Sequence, residues 1–99
     1  MTRFRDSIAA DRIPFGAPVK INGTECRVCT SLAEMDGVAS RYGRGDDAYQ
    51  PGEVVKIKTD GGIRIALAVD GDVVLKGILT RLLASEPNYV TLQNGKIIA

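Results

Sequence analysis

The sequence predicts a mainly β fold: a small β-barrel or sandwich of six to seven short antiparallel strands, with a short N-terminal helix and a long loop. Three observations support this prediction. Apolar and polar residues alternate from Ala17, turn signals such as Asn94-Gly95 separate short apolar runs, and a glycine-rich polar stretch occupies 30–52. With 99 residues, 44% of them apolar, the chain has the size and composition of one folded domain over 1–99.

The N-terminal segment predicts a short amphipathic helix over 3–12. Phe4 and Ile8 are four residues apart, which places them on one face of a helix, and Pro14 ends the segment. A helix of this length is marginal on its own. We therefore expect it to lie on the sheet of this domain or on a neighbouring chain, and Phe4 and Ile8 are candidate assembly contacts.

A first hairpin is predicted over 17–29, because Asn22-Gly23 is a strong signal for a two-residue turn between alternating segments. That turn pairs Lys20 with Glu25 on one face and apolar residues on the other. Turn chemistry and side-chain pattern therefore predict the same register.

Residues 30–52 are predicted to form a long loop, since glycine and proline interrupt a polar stretch. Connections beyond about 12–15 residues without regular structure are usually functional or disordered. Tyrosine and arginine, which are enriched at protein interfaces, are present in this loop. The candidate assembly contacts here are Arg41, Tyr42, Arg44, Asp46, Asp47 and Tyr49.

Residues 53–98 are predicted to form a β-meander, with three-residue loops at 60–62 and 70–72 and a final turn at Asn94-Gly95. The predicted strands are 54–59, 63–69, 72–79, 89–92 and 96–98. The stretch 78–84 fits either a bulged strand or a helix.

One face of this meander combines apolar residues with a basic set. Such a face is not ordinary solvent surface, so we expect the N-terminal helix or an adjacent subunit to cover part of it. The basic set could contact phosphates, or it could be a solvated surface that lysines keep from aggregating. Its members are Lys56, Lys58, Arg64 and Lys76.

Several residue types that support catalysis or metal binding are missing or poorly placed. The sequence has no histidine, which is the commonest general base and metal ligand. Cys26 and Cys29 have the spacing of half a zinc site, but on a strand they point to opposite faces. We expect Cys26 in the core and Cys29 exposed or partly covered, with zinc shared between two chains as the alternative. The prediction is a protein that is not an enzyme and has no cofactor or metal.

Charge and hydropathy restrict the partners. Thirteen basic and twelve acidic residues give a net charge of +1, well below the excess of a dedicated nucleic-acid binder. No apolar run approaches the roughly 20 residues that cross a bilayer, and the start of the chain lacks a signal-peptide pattern. We therefore expect no membrane partner and a cytosolic location.

The order of these elements resembles the small head-tail joining proteins of tailed bacteriophages, which are tail-attachment or head-completion proteins. The resemblance covers most of the chain: the N-terminal helix, the hairpin over 19–26, the long insertion, the segment 71–78 and the closing Tyr89–Leu92. It implies a non-enzymatic structural subunit of a phage or prophage virion, joining head or portal to tail as part of a homo-oligomeric ring.

The resemblance also implies which neighbours the chain has. They would be portal or connector proteins and tail proteins, in the virion and, during assembly, in the host cytoplasm. The long loop and the chain termini would make these contacts. The sequence leaves a second function open, a small β-barrel nucleic-acid-binding module that uses the basic set, and a third, a small enzyme, for which it offers no assembled nucleophile and base.

Overall fold

The computed structural model describes residues 2–31, 33–40, 48–64 and 89–98, and every helix or strand among them is a strand. The predicted mainly β class is therefore confirmed. The strands are β1 (Arg3–Ala9), β2 (Ile13–Pro14), β3 (Pro18–Asn22), β4 (Glu25–Val28), β5 (Gly37–Ala39), β6 (Ala48–Tyr49), β7 (Val54–Arg64), β8 (Tyr89–Gln93) and β9 (Lys96–Ile98).

The N-terminal segment is strand β1, so the helix predicted over 3–12 is wrong. Residues Arg3 to Ile8 pair with β7 in an antiparallel ladder. The four-residue spacing of Phe4 and Ile8 is an even number, so it places both side chains on one face of a strand as well as of a helix. The strand is the more stable conformation because so short a helix is marginal in water, whereas β1 gains backbone hydrogen bonds along most of its length.

Seven of the described strands form one sheet in the order β1-β4-β3-β5-β7-β8-β9, and β1 also pairs with β7. β1 and β4 run parallel, so the sheet is mixed rather than wholly antiparallel as predicted. Because β1 is paired on both sides, the first strands curl around a core. The sheet is not a closed barrel, since β8 and β9 extend from the C-terminal half of β7. β2 and β6 form a separate two-stranded sheet.

The hairpin predicted over 17–29 is confirmed, but its register differs by two residues from the predicted one. The observed pairs are Val19↔Val28, Lys20↔Arg27, Ile21↔Cys26 and Asn22↔Glu25. The turn is therefore Gly23-Thr24 rather than Asn22-Gly23. Gly23 has a φ of +66°, which suits the first central position of a II′ turn. A shift of two residues keeps the apolar side chains on the core face.

This shift separates Lys20 from Glu25 and places it opposite Arg27. Each cation instead meets a carboxylate from elsewhere in the chain. Lys20 Nζ lies 3.9 Å from Glu34 Oε1, and Arg27 donates to Asp11. Tertiary partners thus replace the cross-strand charge match that favoured the predicted register.

The stretch predicted as a long loop over 30–52 contains two short strands. β5 pairs with both β3 and β7, and β6 pairs with β2. Met35, just before β5, is fully buried in the smaller hydrophobic cluster with Val38 and Leu92. The loop prediction is therefore wrong for 37–39 and 48–49, while 41–47 lie outside the described residues.

Strand β7 runs through the position predicted as a three-residue turn at 60–62. Gly61 has a φ of +115°, but Gly61 to Arg64 pair with β8 instead of folding back on β7. The predicted turn is therefore wrong. Residues 65–88 lie outside the described residues, and with them the turn at 70–72 and the alternatives for 78–84.

The last two predicted strands are confirmed as β8 and β9. They are joined by a two-residue turn in which Asn94 and Gly95 both have positive φ, +50° and +77°. Positive φ at both central positions is the requirement of a type I′ turn, which Asn-Gly satisfies.

Two clusters of buried side chains stabilise the sheet. The larger one lies between β1, β3, β4 and β7 and includes Phe15, Val19, Cys26, Val55 and Ile57. The smaller one joins β5 to the β8–β9 hairpin through Cys29, Met35, Val38 and Leu92. The two cysteines are therefore in different clusters, as expected for opposite faces of a strand. Cys29 is only 6% exposed, so the expectation of an exposed or partly covered thiol is wrong.

Candidate functional site

One face of the paired strands β1 and β7 points away from the core, and we call it the outer face. Its residues are the alternate positions of each strand, and they stand directly opposite one another in the ladder. The pairs are Phe4↔Lys58, Asp6↔Lys56 and Ile8↔Val54. At the intervening positions Ser7, Val55 and Ile57 are buried in the core, whereas Arg5, nearer the start of β1, is exposed. The alternation of a half-buried strand thus positions all six outer side chains.

The outer face leaves large apolar groups in contact with solvent. Phe4 is 38% exposed and Val54 is 56% exposed, and they are two of the three exposed large hydrophobic residues in the described chain. Ile8 is partly buried between them and the hairpin turn. Phe4 and Val54 lie at opposite ends of the ladder, so this face exposes apolar groups on either side of its charged centre and is a candidate interaction surface.

Charged groups occupy the centre and one end of the outer face. Lys56 Nζ lies 3.1 Å from Asp6 Oδ1, and both side chains remain more than a third exposed. Lys58 Nζ donates a hydrogen bond to the Gly62 carbonyl oxygen at 2.6 Å. The two lysines predicted for the basic set therefore share one face, and both already have partners within the chain.

The other members of the predicted basic set are less informative. Arg64 is the last residue of β7, and Lys76 lies outside the described residues. The structure therefore places Lys56 and Lys58 together and leaves the four-residue set a prediction.

Tyr49, predicted as an assembly contact, is a core residue. It is 2% exposed, its ring meets Phe15 edge-on with centroids 5.0 Å apart, and its hydroxyl donates to the Ser40 carbonyl oxygen. Tyr49 is therefore a buried side chain held by Phe15 and Ser40, rather than an exposed partner contact. The remaining loop candidates, Arg41, Tyr42, Arg44, Asp46 and Asp47, lie outside the described residues.

A second surface feature is an open groove where β1 begins beside the β8–β9 hairpin. Its volume is about 530 Å³. Asp60 Oδ1 accepts from the Asn94 backbone N–H at 3.1 Å, and its Oδ2 accepts from Thr59 Oγ1 at 2.9 Å. These bonds, then the nearby positive charge of Arg3, lower the pKa of Asp60. The lining residues are Arg3, Asp60, Gly61, Thr91, Leu92, Gln93, Asn94 and Ile98.

Sequence reasoning missed this groove because it assigned Asp60 to a tight turn. The turn interpretation used the Asp-Gly-Gly sequence, which is equally compatible with a strand that bends at Gly61. Only the pairing of β7 with β8 brings Asp60 next to Asn94, which is 34 positions away in the chain.

The thiols have the properties of structural cysteines. Burial raises the pKa of Cys26 and of Cys29 above the ordinary thiol value, and it outweighs the hydrogen bonding with Ser7 and with the Ser31 backbone, which acts in the opposite direction. Thiolate character at neutral pH is therefore low. Within 2–31, 33–40, 48–64 and 89–98, no three His, Cys, Asp or Glu side chains are grouped closely enough to hold a metal ion. The same ranges contain no helix suited to crossing a membrane.

No protein-family model, curated protein or solved structure matches this chain. The candidate site therefore stands on its own geometry: an exposed sheet face on which apolar groups surround an ion pair.

Proposed function

We propose that this chain is a non-enzymatic structural subunit of a phage or prophage virion, which joins head or portal to tail as part of an oligomeric ring. The observation that supports this proposal is the outer face. A domain of this size has few apolar residues beyond those its core needs, yet Phe4 and Val54 remain exposed on one face. Contact with neighbouring proteins, in the virion or in the host cytoplasm during assembly, would remove that surface from water.

Deletion of the gene from an inducible phage or prophage tests the proposal. We expect electron microscopy to show filled heads and free tails that do not join, and the wild-type gene supplied in trans to restore complete virions. Joined virions in the absence of the gene would contradict the proposal.

Complementation with two matched variants then tests the surface. Val54→Asp places a charge at an outer-face position that is 56% exposed, and we expect it to lower the yield of joined virions. Thr30→Asp adds the same charge at an exposed position beyond the end of β4, outside the outer face, and should complement fully. Equal complementation by both variants would exclude the outer face from the contact.

The alternative, a nucleic-acid-binding module, has one supporting observation: Lys56 and Lys58 share an exposed face. A phosphate would compete there with the Asp6 carboxylate and the Gly62 carbonyl oxygen. Fluorescence anisotropy with single-stranded and duplex DNA at two salt concentrations distinguishes the functions. Binding that weakens steeply with salt and is lost in Lys56→Ala would favour the alternative.

A further inference from the structure

The outer face is complementary to itself. Each of its three cross-strand pairs joins groups that attract one another: apolar with apolar, acid with base, and aromatic with cation. These pairs are Ile8 with Val54, Asp6 with Lys56 and Phe4 with Lys58. A second copy that exchanged the positions of β1 and β7 would therefore meet the same three combinations across an interface.

We propose that the free chain self-associates by packing outer face on outer face, about a two-fold axis that runs parallel to β1 and β7. Rotation about this axis keeps the position along the strands and exchanges one strand for the other. Asp6 then lies opposite Lys56 of the second copy, and Ile8 lies opposite Val54 of the second copy. The intrachain ion pair of 3.1 Å becomes part of a square of four charges with alternating sign.

Charge selects this axis over the other in-plane two-fold axis. An axis perpendicular to the strands, through this pair, would place Asp6 against Asp6 of the second copy and Lys56 against Lys56 of the second copy. Like charges in contact are unfavourable. Aligned sheets pack face to face about 10 Å apart, with strand directions within about 30°. The Asp6–Lys56 pair lies at the middle of the three outer pairs. An angle between the strand directions of the two sheets therefore displaces these two side chains least.

The contact is small and therefore weak. Six side chains from each copy are fewer than the roughly 20–30 residues per side of a standard interface, so association depends on protein concentration. A two-fold contact also differs from the head-to-tail contact that builds a ring, so the pairing belongs to the free chain before assembly. Self-association depends on the outer face but not on the proposed role in the virion. The result of the deletion experiment therefore neither supports nor contradicts it.

A charge exchange tests the pairing by sedimentation velocity over a concentration series. Asp6→Lys alone and Lys56→Asp alone each place like charges across the interface, and we expect either to weaken association about tenfold or more. An equimolar mixture of the two variants places opposite charges across every contact. The mixture should therefore associate at least as strongly as the wild-type chain.

Two controls separate this result from misfolding and from general charge effects. The double variant Asp6→Lys/Lys56→Asp keeps the ion pair within each chain and across the interface, so it should self-associate like the wild type. Asp11→Lys places like charges in another exposed ion pair, the one with Arg27, which lies outside the outer face. This variant should leave self-association unchanged. Far-UV circular dichroism checks that every variant is folded.

Four results would overturn the proposal. They are a wild-type chain that stays monomeric up to its solubility limit, a mixture that associates no better than its separate components, an Asp11→Lys effect as large as that of Asp6→Lys, and an open-ended series of larger species. The last would count against it because a two-fold contact closes at the dimer.

Discussion

Substitution of Gly95 by alanine is expected to be the most destabilising glycine change in the described chain. Gly95 has a φ of +77°, and an added Cβ would lie 2.6 Å from the carbonyl carbon of Asp36. Asp36 has little freedom to move away. Its N–H donates to the Val19 carbonyl oxygen at 2.8 Å, and its Oδ2 accepts from the Ile21 N–H at 2.7 Å. Conformational strain and a backbone clash therefore act together.

Two other glycines isolate these two contributions. Gly23 has a φ of +66° with nothing within 4 Å of an added Cβ, whereas at Gly37 the Cβ would lie 2.7 Å from the Lys58 carbonyl oxygen without a positive φ. Gly23→Ala thus carries only the left-handed cost of about 1–2 kcal/mol. Gly37→Ala carries only overpacking, about 1–3 kcal/mol. Gly95→Ala carries both costs, which sum to about 2–5 kcal/mol.

Urea unfolding followed by far-UV circular dichroism measures the series, since the chain has no tryptophan. The urea midpoint is expected to be highest for Gly23→Ala, lower for Gly37→Ala and lowest for Gly95→Ala, while the m-value stays unchanged. In a chain of 99 residues, each 1 kcal/mol corresponds to about 4–8 °C in Tm. If Gly95→Ala proved no more destabilising than Gly23→Ala, the docking of the β8–β9 hairpin against Asp36 would be wrong.

The remaining predictions concern one hydrogen bond, one carboxylate and the thiols. Tyr49→Phe removes the buried bond to the Ser40 carbonyl oxygen and should lower the free energy of unfolding by about 1–2 kcal/mol, measured by urea denaturation; an unchanged midpoint would contradict this. The pKa of Asp60 is lowered on folding, so its contribution is present above the unfolded pKa and is lost as pH falls through the folded pKa. The stability difference between wild type and Asp60→Asn should therefore shrink as the pH falls below the unfolded pKa of aspartate and through its lower folded pKa, and a difference that grows would refute the assignment. Cys26 and Cys29 should react with a thiol reagent slowly in the native chain and rapidly in urea; fast native reaction would show that either thiol is accessible.

The β8–β9 hairpin is the element for which local information suffices. Asn94-Gly95 requires positive φ at both residues, and the flanking runs are short and branched, so the turn type and strand pairing follow from neighbouring residues alone. For the first hairpin, the sequence predicts that the hairpin forms but does not predict its register correctly. Its turn lies at Gly23-Thr24, where Gly23 adopts a positive φ, and its cations lie beside Asp11 and Glu34 from other parts of the chain.

The candidate site was predictable only in part. The sequence placed Lys56 and Lys58 on one face of the predicted meander, and it placed Phe4 and Ile8 on a helix or assembly contact that could cover part of that face. In the structure they form one surface, because the N-terminal segment is a neighbouring strand rather than a covering helix. Local spacing could not decide this, since a separation of four residues suits both conformations.

The sequence by itself determined a small, mainly β chain with a net charge of +1, a core cysteine at 26 and a hairpin turn at 94–95. These properties depend on composition or on a few adjacent residues. Only the tertiary structure decided that 3–9 is a strand, that β7 continues through Gly61 and that Tyr49 is buried. Each of those outcomes depends on which distant strand supplies the backbone hydrogen-bond partners. The outer face exists only because β1 pairs with β7.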